Sequence, residues 1–264
     1  MKIIVCIKSV PDTGSSIRIK TGSAAIDPEG LTYVMNPYDE YAVEEALRIK
    51  EKQGQTVITA ISMGGTSAKE VLRTALSMGV DQAIHLKDAG FEGLDSQETA
   101  KVLARAMKTV GFDLILCGKQ AVDMDSAQVG PALAELLDLP QIGVVTRLEF
   151  DDQWRSLRAH RQIEGGTEII EAPLPCVITA QKGLNEPRYP SLKGILSAKK
   201  REIPEWGTPQ MGLGAEGREP APCAIRIVAL EPPPARVPGR ILAGDSQEKV
   251  RELIRLLREE AKVI

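Results

Sequence analysis

The residues best placed for chemistry lie in "CGKQAVDMDSAQVGPAL", Cys117–Leu133, where an apolar run ends, a polar stretch follows and a helical pattern begins. Gly118 and Gly130 permit close backbone approach, and the free amides of Ser126, Ala127, Gln128 and Val129 at a helix start suit an anion. Asp123 and Asp125 would repel a phosphate placed beside their carboxylates, so backbone amides must hold it. The plainer alternative is that Asp125 or Ser126 simply caps the helix. The stretch lacks the Lys-Ser/Thr ending of a Walker loop, so ATP hydrolysis is not indicated. A second edge of this kind, "SMGGTSAKE" at Ser62–Glu70, supplies Met63 and a Gly64-Gly65 turn that a tight bend explains equally well. With "NPYD" (Asn36, Pro37, Tyr38, Asp39) and the strand end near Cys6, three loops converge on one crevice suited to an adenine nucleotide.

Other chemistries have little raw material. The chain of 264 residues has two histidines, His85 and His160, too few for a His-rich metal site or a Ser-His-Asp relay. Its four cysteines, Cys6, Cys117, Cys176 and Cys223, sit singly in apolar runs and read as buried free thiols. A net charge of -3 argues against a nucleic-acid binder, which needs a basic face to displace counterions. No run reaches the roughly 18–20 apolar residues of a membrane span, and "IIVCIK" is too short for a signal-peptide core. The expectation is a cytoplasmic protein with no direct membrane insertion.

The elements that position the crevice follow from periodicity. Continuous apolar runs at Lys2–Lys8, Thr56–Ser62, Gln82–Leu86 and Phe112–Gly118 read as strands buried on both faces. Helical stretches between them imply a Rossmann-like, doubly wound, mostly parallel α/β sheet. The first helix is marked by Asn36 as cap, Pro37 in its first turn and Gly54 after its basic end. Further helices are expected near Ser67, with Glu70 completing a capping box, near Asp95, with Glu98 three residues on, and near Ser126. After Pro140 the pattern reads as an added antiparallel segment, with "WRSLRAHRQI" and "TEIIEA" flanking Glu164-Gly165-Gly166 and then "PCVITAQ". The region from Pro204 to Pro222 and "EPPPARVPG" at Glu231–Gly239 should not join the core, and an amphipathic helix from Ser246 closes the chain. That tail reads as an arm reaching another subunit.

"GLNEPRYPSLKGILSAKKREI", Gly183–Ile203, combines apolar residues, two prolines and a basic cluster. Pro187 and Pro190 rule out a central strand, and a solvated linker would not need Leu184, Tyr189, Leu192 and Ile195. We expect an extended segment and short helix with Leu184 exposed for a partner; the alternative is that Leu184 packs on its own subunit.

At these residues a family resemblance enters. "GKQAVDMDSAQVG", "MNPYDEYAVEEALRIKE" and above all "LNEPRYPSLKGILSAKK" resemble the beta-subunit family of electron-transferring flavoproteins, over nearly the whole chain. The resemblance implies a Rossmann-like fold paired with an alpha subunit that makes most contacts to FAD, while beta holds a structural AMP. The implied AMP contacts are Cys6, Asn36, Pro37, Tyr38, Asp39 and Met63, then the loop Gly118, Lys119, Gln120, Ala121, Val122, Asp123, Met124, Asp125, Ser126, Ala127, Gln128 and Val129. It further implies that Leu184, with Pro187 and Tyr189, recognises acyl-CoA dehydrogenases, and that electrons pass on to a membrane quinone oxidoreductase. The corresponding division is a nucleotide-binding α/β domain over 1–182, a recognition loop and helix over 183–203, and an arm wrapping the alpha subunit over 204–264. "VPDT" at Val10–Thr13 and "SAQVGP" at Ser126–Pro131 are similar to bacterial and electron-bifurcating relatives, of which the bifurcating members bind a second FAD in place of AMP. Gln162 stands where familiar members carry a glutamate that helps position the moving flavin domain.

In such a carrier the flavin transfers the electron and the protein sets binding and orientation, so no side chain is expected to act as acid, base or nucleophile. Two readings compete. A nonredox nucleotide-binding regulator would share the crevice but leave the 183–203 stretch unexplained, and an adenylating enzyme would need a fuller phosphate loop and a general base.

Overall fold

The structure is a computed structural model that describes residues 1–212, 223–225, 227–234 and 238–264. Strands β1 (Lys2–Cys6), β2 (Ser9–Pro11) and β3 (Tyr33–Met35) lead into α1 (Pro37–Gln53). There follow β4 (Val57–Met63), α2 (Thr66–Met78), β5 (Gln82–Leu86), α3 (Ser96–Val110), β6 (Leu114–Gly118) and α4 (Val129–Leu137). Next come β7 (Gln141–Phe150), β8 (Ser156–Ile163), β9 (Gly166–Pro173), β10 (Cys176–Ala180), α5 (Leu192–Lys200), β11 (Glu205–Trp206) and α6 (Ser246–Arg255).

The main sheet has nine strands in the order β11-β5-β4-β1-β6-β10-β7-β8-β9, and β2 and β3 form a small antiparallel pair. Strand alternation builds a core on each face. Ile3, Val5, Leu114, Leu116 and Ile178 meet the Ala42, Val43, Leu47 and Leu72 side of α1 and α2. Ile4, Ile61, Ile115 and Val177 meet Leu103 and Met107 of α3 and Leu133 of α4. Helices on both faces explain the unbroken apolar runs, since neither face of the central strands meets water. The sheet is the doubly wound, mostly parallel one expected.

Several sequence expectations need correction. The fourth helix starts at Val129 rather than near Ser126, because Asp125 and Ala127 turn left-handed, with φ of 50° and 51°, and hold the intervening backbone out of the helix. The capping box at Ser67 and Glu70 does not form; α2 begins one residue earlier, behind Gly65, with no side-chain cap. The segment after Pro140 is antiparallel only in part. β8 and β9 make the hairpin, but β10 lies between β6 and β7 and runs parallel to both. Its run "CVITA" is wholly buried, as a central strand requires.

By contact grouping the chain falls into two units, 1–17 with 27–228, and 18–26 with 229–264. The second unit contains an isolated bridge between Ile19 and Ile26 and the helix α6, capped by a box between Asp245 and Glu248. No residue of α6 is buried, and Val250, Leu253 and Ile254 are exposed. The expectation that the region from Pro204 to Pro222 stays out of the core is also corrected, since β11 pairs with β5 and Met211 is buried beside it; 213–222 and positions 235–237 of the proline-rich run lie outside the described residues.

Candidate functional site

In an open α/β sheet the connections reverse direction at one point, and the strand ends on either side of it leave a crevice. Here that point lies between β1 and β6, whose carboxyl ends are Cys6 and Gly118. Asp39 spans it. Its carboxylate accepts from the Lys8 amide at 2.7 Å and from the Gly118 amide at 3.0 Å, tying both strand ends to the first turn of α1. Burial pushes the Asp39 carboxyl up to about 7, against the hydrogen bonds from Lys8, Asn36 and Gly118 that favour its charged form. Gly118 is required here, because a Cβ would overlap the Asp39 carboxylate and lie 2.7 Å from the Tyr38 Cβ.

Asn36 performs the matching task for the loop 119–128. Instead of capping α1, its side chain donates to the Gln120 carbonyl at 2.9 Å and accepts from the Val122 amide at 3.1 Å. A buried primary amide thus pairs with a donor and an acceptor of the loop backbone at once. The Lys119 ammonium stands 5.0 Å over the Tyr38 ring. The other loop carboxylates are engaged as well: Asp123 pairs with Lys8 at 2.7 Å, and Asp125 accepts from Gln120 at 2.6 Å.

Beyond Val122 the loop turns outward, and Asp123 through Gln128 are exposed. Three helices that follow strands at this edge, α1, α2 and α4, start with no side-chain cap. By contrast α3, α5 and α6 are capped by Asp95, Ser191 and Asp245. Uncapped first turns leave amide donors that water or a ligand must satisfy. This donor set fits the phosphate of a nucleotide, and the carboxylates that would oppose it are already partnered.

Every sequence-derived crevice residue lies on these strand ends and loops, although their roles divide. Asn36 and Asp39 hold the backbone in place, whereas Ala127, Gln128 and Val129 present it. Cys6 is buried against Cys117, and its thiol is raised well above the ordinary range, first by the hydrogen bond between the two thiols and then by burial. Met63 is half-buried at the end of β4. Gly130 serves the fold: a Cβ there would stand 2.5 Å from the Thr179 methyl of β10. Behind the loop, toward β7, a cavity of 340 Å³ is lined by residues including Lys119, Gln120, Arg161 and Thr179, with no carboxylate among its lining residues. Sequence reading missed Lys8, Arg161 and Thr179; the signal for Lys8 was its place as the charged residue closing the first apolar run.

Leu184 is corrected. It is only 9% exposed and belongs to the core on the α1 side, because the chain leaves the central strand β10 four residues earlier and is still beneath α1. The outward apolar residues are Tyr189, 96% exposed, Leu192, 83% exposed, and Leu196. Pro187 is half-buried between the two sets.

Comparison with known proteins agrees with this architecture. A family model described as "Electron transfer flavoprotein domain" matches residues 24–210. The electron transfer flavoprotein subunit beta of Bacillus subtilis is 44% identical over 265 residues, covering 100% of both chains. The human subunit of the same name is 34% identical, covering 100% of this chain and 99% of its own. A Caffeyl-CoA reductase-Etf complex subunit CarD from Acetobacterium woodii is 37% identical over 95% of each. With a doubly wound sheet, a crevice at its reversal point and relatives matched from end to end, the chain belongs to the electron transfer flavoprotein family, among its beta subunits.

Proposed function

We propose that this chain holds AMP in the β1/β6 crevice, shares an FAD with an alpha subunit, and serves an electron carrier between dehydrogenases, such as acyl-CoA dehydrogenases, and a membrane quinone oxidoreductase. One observation carries the reading: the crevice offers uncapped helix amides while the carboxylates beside them are engaged in three cases, Asp39 on backbone amides, Asp123 on Lys8 and Asp125 on Gln120. Such a site suits an anion held by backbone amides. The bound flavin would supply the electron chemistry. The amides of Ala127, Gln128 and Val129 would hold phosphate, Gly118 admits the close approach, and Tyr38 and Met63 line the crevice.

For docking, the exposed side chains Tyr189, Leu192 and Leu196 replace Leu184 as the apolar contact, beside Lys193, Lys199 and Lys200, which would steer toward an acidic partner. The complex co-expressed with an alpha subunit should be yellow, carry flavin in stoichiometric amount, and be reduced by an acyl-CoA dehydrogenase and its substrate. A colourless complex, or one that no dehydrogenase reduces, would overturn the reading.

A second reading, a bifurcating subunit with a second FAD in place of AMP, is favoured by the 340 Å³ cavity behind the loop, lined by Lys119 and by Arg161, whose guanidinium also pairs with Glu168 at 3.1 Å. The likeness to the Acetobacterium woodii complex subunit supports the same direction. Two flavins per heterodimer would select it.

A further inference from the structure

The stretch that carries the exposed apolar residues is tied down at both ends. At its start, Asn185 donates to the Tyr41 carbonyl and to the Glu45 carboxylate of α1, each at 3.0 Å. Arg188 then meets Glu44 three times: through its backbone amide at 3.1 Å, its Nε at 2.8 Å and a terminal guanidinium nitrogen at 3.0 Å. The other terminal nitrogen reaches Glu51 at 2.6 Å. At the far end, α5 lies on α2, where a Cβ on Gly194 would overlap the Ser77 carbonyl and the Arg73 guanidinium donates to the Ala198 carbonyl at 2.6 Å. Tyr189 and Leu192 project between these anchors.

Glu44 is an unusual place for a carboxylate, since the residue is 3% exposed. A buried charge is kept only where paired and hydrogen-bonded. Burial raises its proton affinity, yet the Arg188 bonds, joined by one from Arg48 at 3.2 Å, outweigh that and hold the carboxyl below its usual range. Glu51, by contrast, has an exposed side chain, so water and salt screen its pairing. The fork of Arg188 is planar and its contact with Glu44 two-pronged, so the pair fixes direction as well as distance.

We propose that Glu44 is the positioning residue of the docking segment: by fixing Arg188 at both backbone and guanidinium, it sets the direction in which Tyr189 and Leu192 leave the protein. The inference rests on the docking role proposed above. A segment already ordered loses less entropy on binding, so the latch contributes to affinity without touching the partner.

The test uses the full chain co-purified with its alpha subunit and compares wild type with Glu44→Gln, Arg188→Lys and Glu51→Gln. Hydrogen exchange is followed over residues 185–192, together with the dependence of electron transfer on acyl-CoA dehydrogenase concentration. In Glu44→Gln the segment should exchange at least tenfold faster and the half-saturating dehydrogenase concentration rise roughly tenfold, with the saturating rate and nucleotide content unchanged. Arg188→Lys keeps the charge without the fork and should fall between, so the inference survives a poorly folding Glu44 variant; Glu51→Gln should change either quantity less than twofold. Unchanged exchange in both Glu44→Gln and Arg188→Lys would overturn the latch. Faster exchange with unchanged docking would support the latch while overturning the docking role of the segment, so the two failures are distinguishable.

Discussion

At the scale of single residues, Asp39 makes one proton part of the fold. Its folded pKa of about 7 lies above the ordinary carboxylate value of 3.8, so folding favours the protonated form. The sign follows: its contribution is full below about pH 4, declines as pH rises toward 7, and is flat above. Asp39→Asn cannot titrate but still lacks one acceptor for the Lys8 and Gly118 amides. The variant should therefore be less stable at pH 5, with the gap to wild type narrowing toward pH 8; denaturant unfolding at both pH values checks this, and a widening gap would contradict it. Gly118→Ala tests the same junction sterically. Its new methyl would meet the Asp39 carboxylate and Tyr38, so the thermal midpoint should fall and bound nucleotide be lost together.

At the scale of elements, Leu184, expected exposed, is buried, while Leu192 of the same stretch projects outward. Leu184→Ala should cost about 2–5 kcal/mol of stability, because the side chain is in the core. Leu192→Ala should change stability by less than about 0.5 kcal/mol but weaken dehydrogenase docking roughly ten- to hundredfold. Thermal midpoints and subsaturating electron-transfer rates separate the pair. The reason the sequence misassigned Leu184 is physical: burial there depends on α1 passing over the chain just after β10, a long-range contact with no local signature. The strand runs of β1, β4, β5 and β6 were legible because burial on both faces leaves an unbroken apolar record. The insertion of β10 between β6 and β7 was not, since a short buried run does not state its neighbours. The crevice was legible in outline through the glycines and the strand-to-helix junctions. The division of labour within it was hidden, because Asn36 and Asp39 are recognised as backbone holders only when their partners more than 80 positions away, for Asn36, are in view.

For the whole molecule, the proposed function joins two surfaces of one chain: a crevice proposed to hold a nucleotide and an outward apolar segment proposed to meet electron donors. Helix α6 adds a third, since it buries none of its residues despite an apolar face through Val250, Leu253 and Ile254. Deleting 246–264 should reduce recovery of the heterodimer while the remaining chain still binds nucleotide, as co-purification with a tagged alpha subunit would reveal. The central claim, that the β1/β6 crevice is an adenine-nucleotide site, is tested most directly by counting nucleotides released on denaturing the purified heterodimer, wild type beside Gly118→Val. The account predicts one FAD and one AMP per wild-type heterodimer, or two FAD for a bifurcating subunit, with the AMP or second FAD missing from the variant. Release of a single FAD and no other adenine nucleotide from the wild-type protein would contradict it.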